Sequence, residues 1–316
     1  MRLADAETVH RLLDYPYLIE ALHQAHQGAH PAADHIVSTE PEGGDNQFVT
    51  LVGWQGGKGI AVKMVGVFPG NLALDPPQAS VQGLVALFDP ATGAPMLAAD
   101  GEAMTFRKTA ADSGLGTRLL ARTDSGTLLV VGAGGLAPHV IAAHHAARPS
   151  LKRVLIWNRT PDRAQALASS LKAGAYMQGV DIAATRDLDA AVAEADIISC
   201  VTMTREPLVK GALLKTGAHL DLVGAYRPDM READDEAMAR GQIFVDCRDG
   251  MKGSGELSRP VAAGVIGWDD VSADLYQLCQ GAHPGRQSDS EITVFKNVGG
   301  GHLDLFAAVA LSERLP

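Results

Sequence analysis

Apolar and polar positions follow three rhythms along the chain, and each predicts a different kind of structure. Over residues 5–29, Val9, Leu12, Leu13, Leu18, Ile19 and Leu22 recur at the spacing of a helix with one buried stripe. Asp5 stands at the N-cap position, and Pro16 divides the segment into two pieces. Between residues 35 and 100 the rhythm shortens. Phe48 to Val52, Ile60 to Phe68, Val81 to Phe88 and Pro95 to Ala98 are β-prone runs separated by Gly, Pro and Asp. Asp89-Pro90-Ala91-Thr92-Gly93 reads as a turn between two of them. With no helix between them, these runs predict an antiparallel sheet. An Ala- and Leu-rich helix follows over residues 101–122.

From residue 127 the pattern becomes an alternation of strands and helices. The apolar run Leu128 to Val131 ends in Gly132-Ala133-Gly134-Gly135-Leu136-Ala137 and opens a helix. A second run, Val154 to Trp157, ends in Asn158-Arg159-Thr160. Helices are predicted over Pro161 to Lys172 and Leu188 to Ala193, with strands at Asp181 to Ala184, Asp196 to Val201, His219 to Val223 and Gln242 to Asp246. Glu291 to Phe295 reads as a strand and Gly301 to Leu311 as a helix, both expected to rejoin the N-terminal sheet.

The strand–glycine turn–helix–strand unit is that of a Rossmann-type dinucleotide-binding domain. Gly132 permits the tight turn, Gly134 lets the backbone approach a pyrophosphate, and Ala137 keeps the helix close to the sheet. Gly135 and Leu136 complete the turn, whose helix N-terminus offers free N–H groups and a positive dipole end. A βα turn without a ligand is the alternative. Asn158-Arg159-Thr160 replaces the acidic residue that usually accepts from a ribose 2′-hydroxyl, so nothing there repels a 2′-phosphate. Arg159 can fork such a phosphate and Thr160 can donate to it, which favours NADP(H), with NAD(H) the other option. The alternative is that Arg159 is a solvated loop residue. Val201 and Thr202, ending a later strand, complete the expected cofactor contacts. The fold class is therefore α/β, with a Rossmann-type domain over 124–289 inserted in a discontinuous α+β domain formed by 1–123 and 290–316.

Composition narrows the class. At 316 residues the chain can hold one large or two ordinary domains, and a hydrophobic content of 46% is enough to build their cores. A net charge of −10 speaks against a nucleic-acid or anionic-membrane surface. Cys200, Cys247 and Cys279 are too widely spaced for a metal or redox motif and fit a reduced, cytoplasmic protein. The opening MRLADAETVHRLLDY lacks a signal-peptide pattern, and no run of about 20 apolar residues predicts a membrane span. His23, His26 and His30 are expected on the wet side of the first helical segment, and no metal site is expected.

Several stretches together resemble the ornithine cyclodeaminase/mu-crystallin family. They are Val62-Lys63-Met64 with Phe68-Pro69-Gly70-Asn71, the helix Thr105 to Ser113, Gly132 to Ala137, Trp157 to Thr160, Val223 to Asp235, and Thr293 to Asp304. The resemblance implies a homodimer formed through the discontinuous substrate/dimerisation domain. It also implies hydride transfer between a nicotinamide and the carbon of an amine or imine next to a carboxylate. That chemistry needs a cation for the carboxylate, a proton donor or acceptor for the nitrogen, and a dry pocket.

Lys63 matches the family lysine beside the substrate, and burial in AVKMVGVF would bring its pKa toward neutrality. A strand-edge lysine facing water is the alternative. Lys108 occupies the position of the family's carboxylate-binding arginine in Thr105-Phe106-Arg107-Lys108-Thr109-Ala110-Ala111. It keeps the charge and loses the fork. Arg107, about 100° away on the helix, is expected at a surface or interface.

Two departures bear on activity. Pro31-Ala32-Ala33 has alanine where the family usually has arginine, and Tyr226 lies in or next to the place of the ornithine cyclodeaminase aspartate. Tyr226 is a candidate proton donor or nicotinamide neighbour, but not a carboxylate base. Asp229, Arg231, Glu232, Asp234 and Asp235 are expected to be structural, with Asp234 capping a helix over Glu236 to Arg240. Asp304 matches a family aspartate, and His302 is a candidate contact to nicotinamide or substrate.

The leading expectation is an NAD(P)H-dependent reductase of a small cyclic imino acid such as Δ1-pyrroline-2-carboxylate, or a dehydrogenase of the matching amino acid. Ornithine cyclodeaminase with catalytic NAD is the second reading. A non-catalytic NADPH-dependent ligand-binding protein is the third.

Overall fold

The computed structural model describes residues 1–174 and 177–316, with Leu72 described by its backbone alone. Two compact units result: Met1–Thr109 with Gly300–Pro316, and Ala110–Gly299.

The first unit begins with β1 (Arg2–Ala4), α1 (Ala6–Leu12) and α2 (Tyr15–His26). Asp5 caps α1 by accepting from Thr8 N–H, and Asp14 caps α2 by accepting from Tyr17 N–H. Pro16 lies in the first turn of α2, where its missing N–H costs nothing, so it starts the second helix rather than interrupting one. The strands are β2 (Ala32–Thr39), β3 (Gln47–Gln55), β4 (Gly59–Val67), β5 (Val81–Phe88) and β6 (Pro95–Asp100), ordered β1-β6-β5-β4-β3-β2. All neighbours are antiparallel except β1 with β6. The Asp89 carboxylate accepts from the N–H groups of Ala91 and Thr92 and fixes the β5–β6 turn.

Helix α3 (Gly101–Leu120) leaves this unit after Thr109, and α10 (Gly301–Arg314) returns to it. Tyr17 Oη donates to Ala310 O at 3.0 Å, and Arg314 donates to Leu12 O, tying the last helix to the first two. The start of α10 lies against β3: a Cβ on Gly53 would stand 2.2 Å from the Gly301 carbonyl oxygen, so only glycine permits that approach.

The second unit contains β7 (Thr127–Val131), α4 (Ala137–Ala147), β8 (Arg153–Trp157), α5 (Pro161–Ala173), β9 (Asp181–Thr185), α6 (Leu188–Glu194) and β10 (Ile197–Cys200). It continues with β11 (His219–Leu222), α7 (Asp235–Arg240), β12 (Gln242–Val245), α8 (Gly255–Ala262), β13 (Val271–Asp274), α9 (Leu275–Cys279) and β14 (Thr293–Lys296). All eight strands are parallel, in the order β13-β12-β14-β11-β10-β7-β8-β9. The central strands are covered on both faces and mostly apolar, with Leu128 to Val131, Ile197, Ile198, Leu220 and Leu222 fully buried, while Ser199, His219, Asp221, Thr293 and Lys296 are polar groups buried among them. The chain reverses its direction of winding between β7 and β10, which is where ligands bind in such sheets.

Two expectations are corrected. The strand near residue 293 does not rejoin the N-terminal sheet. β14 pairs with β11 and β12, and only α10 returns. The unit boundaries, 109/110 and 299/300, therefore lie outside the expected 124–289 at both ends. Three further elements, β1, β2 and β13, carry sequence patterns too short or too polar to be read as strands.

Candidate active site

In the first unit the charged groups gather where β4, α3 and α10 meet. Alternation along β4 puts Ala61, Lys63 and Val65 on one buried face. Thr105 and Lys108, three residues apart on α3, share a helix face. Lys63 Nζ donates to Thr105 Oγ1 at 2.7 Å, and that hydroxyl donates to Gly101 O at 2.6 Å, so the threonine presents a lone pair to the ammonium. Lys108 Nζ lies 2.5 Å from Asp304 Oδ1 in the first turn of α10 and also donates to Gly300 O at 3.3 Å. All three charged residues are buried. Burial, with repulsion from Lys108, lowers the Lys63 pKa to about 8, while Asp304 opposes the shift. The cluster carries two ammonium groups and one carboxylate, a net positive charge with Lys63 as the less neutralised cation.

Lys63 is thus not a strand-edge lysine, and Lys108 is not a free cation. Arg107 stacks over the Tyr15 ring at 4.5 Å and its Nε donates to His10 Nδ1, so it is a packed residue of the first unit. The histidine expectation also changes, since His26 is fully buried, donates from Nδ1 to Leu22 O, and meets His302 edge-on at 6.1 Å. Burial lowers the His26 pKa to about 4 and that of His302 well below the ordinary histidine value, so both rings are neutral at pH 7.

In the second unit the glycine turn lies at the point where the winding reverses. Gly132 has φ 120°, accessible only to glycine, and its N–H donates to Trp157 O. A Cβ there would stand 2.9 Å from Val201 O and 3.2 Å from Thr202 Cγ2, so the turn and the end of β10 meet across the switch point. Gly134 is exposed, and a Cβ on it would meet nothing within 4 Å. Among the described residues, no backbone carbonyl engages the N–H groups of Gly134, Gly135 and Leu136. Ala137 is fully buried against the sheet at the first turn of α4. The open space and the unengaged donors fit a pyrophosphate. Asn158 Oδ1 accepts from Ala133 N–H at 3.2 Å and its Nδ2 donates to Thr160 O at 3.0 Å, which commits Asn158 to shaping the turn. Arg159 and Thr160 are exposed beside it, and among the described residues no carboxylate pairs with Arg159.

Behind this cradle lies a group of buried charges that the sequence pattern does not reveal. Glu232 accepts from Thr202 N–H and Oγ1 and from Gly224 N–H, and Glu256 accepts from the N–H groups of Glu232 and Ala233. Lys296 Nζ donates to Leu222 O and Val223 O. Burial raises both glutamates, Glu256 to about 7 with Glu232 adding repulsion, and Lys296 opposes the shift in each. A lysine ending the apolar strand Thr293–Lys296 is the one readable hint of this arrangement. Tyr226 is 57% exposed. Arg231 pairs with Asp235, and Asp234 caps α7 as expected.

Residues 4–315 match the model of the ornithine cyclodeaminase/mu-crystallin family. The chain is 43% identical over 293 residues to a Δ1-pyrroline-2-carboxylate reductase of Paracoccus denitrificans, covering 92% of this chain and 89% of that one. Among solved structures it is similar to the Δ1-pyrroline-2-carboxylate reductase of Thermococcus litoralis in complex with NADH and L-proline. There the TM-score is 0.90 and the identity 28%, over 99% of this chain and 97% of that one. An archaeal alanine dehydrogenase dimer with bound NAD superposes with TM-score 0.88 at 25% identity, over 99% and 95% of the two chains. With its glycine turn, its lysine on β4 and its insertion of one unit inside the other, the chain belongs to the ornithine cyclodeaminase/mu-crystallin family.

Proposed function

We propose that the chain is an NADP(H)-dependent reductase of a small cyclic imino acid, with Δ1-pyrroline-2-carboxylate the nearest concrete substrate. The buried Lys63–Lys108–Asp304 cluster carries this reading, because it supplies a proton and a net positive charge in a desolvated setting. A bound nicotinamide dinucleotide supplies the hydride. Lys63, with its pKa near 8, holds a transferable proton at neutral pH and is close enough to neutrality to release it to the substrate nitrogen. Thr105 aims that ammonium. Lys108 has one N–H on Asp304 and one on Gly300 O, which leaves a third for the substrate carboxylate. A single point contact grips less specifically than an arginine fork and suits a small monocarboxylate.

The turn residues Gly132 to Ala137 would hold the pyrophosphate, and Val201 with Thr202 the nicotinamide end. Arg159 and Thr160 would take a 2′-phosphate, which is why NADP(H) is favoured over NAD(H). Ornithine cyclisation is disfavoured because Tyr226 stands near the place of the carboxylate, and Asp229 of the same segment is paired with Arg205 and Arg227. The homodimer implied by the family would form on the first unit, where all of β2 is exposed and Ile36, Phe48 and Trp54 face solvent.

Oxidation of NADPH and NADH, followed with five- and six-membered cyclic imino acids, tests the assignment. NADPH-linked turnover on at least one is expected, and none on any would remove it. Light scattering of the wild-type chain and an Ile36→Asp/Trp54→Asp variant tests the dimer, which the variant should dissociate.

A further inference from the structure

We infer that Glu232 is a positioning residue for the nicotinamide end of the dinucleotide, clasping together the loops that follow β10 and β11; this rests on the dinucleotide reading above. The side chain is wholly buried. Its Oε1 accepts from Thr202 N–H at 2.6 Å and from Thr202 Oγ1 at 2.7 Å. Its Oε2 accepts from Gly224 N–H at 2.7 Å and from Ala225 N–H at 3.3 Å. One carboxylate therefore closes both loops at the carboxyl edge of adjacent parallel strands. The loops touch: a Cβ on Gly224 would stand 1.7 Å from the Thr202 carbonyl oxygen. The first of them also borders Gly132, across the switch point of the sheet.

The chemistry of the clasp is specific to a carboxylate. Both oxygens face backbone N–H groups, so both ends must accept. A glutamine would turn an amide N–H₂ toward a donor on one side or the other. The support behind Glu232 is equally directed. Glu256 accepts from Glu232 N–H at 2.7 Å and Ala233 N–H at 3.0 Å, and Ser254 Oγ donates to Ala225 O at 2.6 Å. A buried charge is weak evidence for stability by itself, because desolvation offsets most of its attraction. What this one achieves is orientation. Thr202 Oγ1 has given its proton to Glu232, so toward its half-exposed side it can only accept. That polarity matches the N–H₂ donor of a carboxamide.

The test compares a dinucleotide with its fragment lacking nicotinamide. Calorimetric titration of NADPH and of 2′-phospho-ADP-ribose is run on the wild-type chain, Glu232→Gln and Thr202→Val, with NADH and ADP-ribose replacing them if the wild-type chain prefers NAD(H). Glu232→Gln is expected to weaken the dinucleotide by ~10- to 100-fold, the scale of a buried donor left unpaired. The fragment should change by less than about two-fold, because the glycine turn and Asn158–Thr160 are untouched. Thr202→Val removes one hydroxyl and should weaken the dinucleotide alone by several-fold; it decides the matter if Glu232→Gln does not fold. Equal losses for both ligands, or no loss for the dinucleotide, would overturn the assignment. A wild-type chain that binds neither pair overturns the dinucleotide reading itself.

Discussion

Replacing Asp304 with asparagine removes the charge paired with Lys108 while keeping the shape of the side chain. Lys108 Nζ and Asp304 Oδ1 lie 2.5 Å apart in a buried setting. At an effective dielectric of about 20, opposite charges at that separation attract by roughly 7 kcal/mol. Desolvation of two ions offsets part of this, and removing one partner of a buried pair costs about 3–5 kcal/mol. Asp304 also helps to keep Lys63 protonated against burial and the repulsion of Lys108. In Asp304→Asn, Lys63 should therefore lose its proton below the present value of about 8.

Two measurements on one preparation check this. Urea unfolding should show a loss of about 3–5 kcal/mol, and the pH dependence of kcat for imine reduction should have its alkaline limb displaced toward lower pH. The double variant Lys108→Met/Asp304→Leu removes both charges and should recover most of the stability without the activity. An alkaline limb that stays in place in Asp304→Asn would refute the coupling of Asp304 to Lys63. A double variant no more stable than the single one would refute the buried-pair accounting.

Other consequences follow from individual groups. In the wild-type chain, imine reduction should fall as pH rises through about 8, because Lys63 is then neutral and has no proton to give. The stability sign is opposite: between about 8 and the unfolded lysine value of 10.5 the unfolded chain holds the extra proton, so this group makes the fold more stable as pH rises. Arg159→Glu should shift the ratio of kcat/KM for NADPH over NADH toward NADH by ~10- to 100-fold, read by steady-state kinetics with both dinucleotides. Asp221, on β11, is fully buried against His144 at 3.2 Å and the Ser199 hydroxyl at 2.7 Å. Burial pushes its carboxyl up, and the hydrogen bonds and charge of its partners outweigh that and leave it below the ordinary value. Its contribution to stability is present above the unfolded aspartate pKa and is lost as pH falls through the folded one. Asp221→Ala leaves the Ser199 hydroxyl and the His144 ring without their buried acceptor and should cost about 1–3 kcal/mol in denaturant unfolding at neutral pH.

Much of this architecture was legible in the residues because local signals agreed with the tertiary arrangement. The Gly132 to Ala137 turn follows an apolar run and opens a helix, and the Asp5 cap and the Asp89 turn carry their own hydrogen-bonding side chains. The sheet to which β14 belongs is not encoded locally, because a four-residue buried run has no periodicity that tells one sheet from another. β2 leaves no strand signal in the sequence, because its eight residues are all exposed and show no apolar alternation. The site divides in the same way. Lys63 was visible as a charge inside an apolar strand. The pairing of Lys108 with Asp304 and the clasp at Glu232 join residues 196 and 30 positions apart in the chain, and no local spacing encodes either.

NADPH carrying deuterium at both hydrogens of nicotinamide C4, mixed with Δ1-pyrroline-2-carboxylate and either the wild-type chain or Lys63→Met, puts the proposed chemistry to the test. The wild-type chain should yield proline labelled at the α carbon. Lys63→Met should bind NADPH as before and lose at least ~100-fold in kcat, the scale of a missing proton donor. Unlabelled or absent proline from the wild-type chain, or undiminished turnover by Lys63→Met, would contradict it.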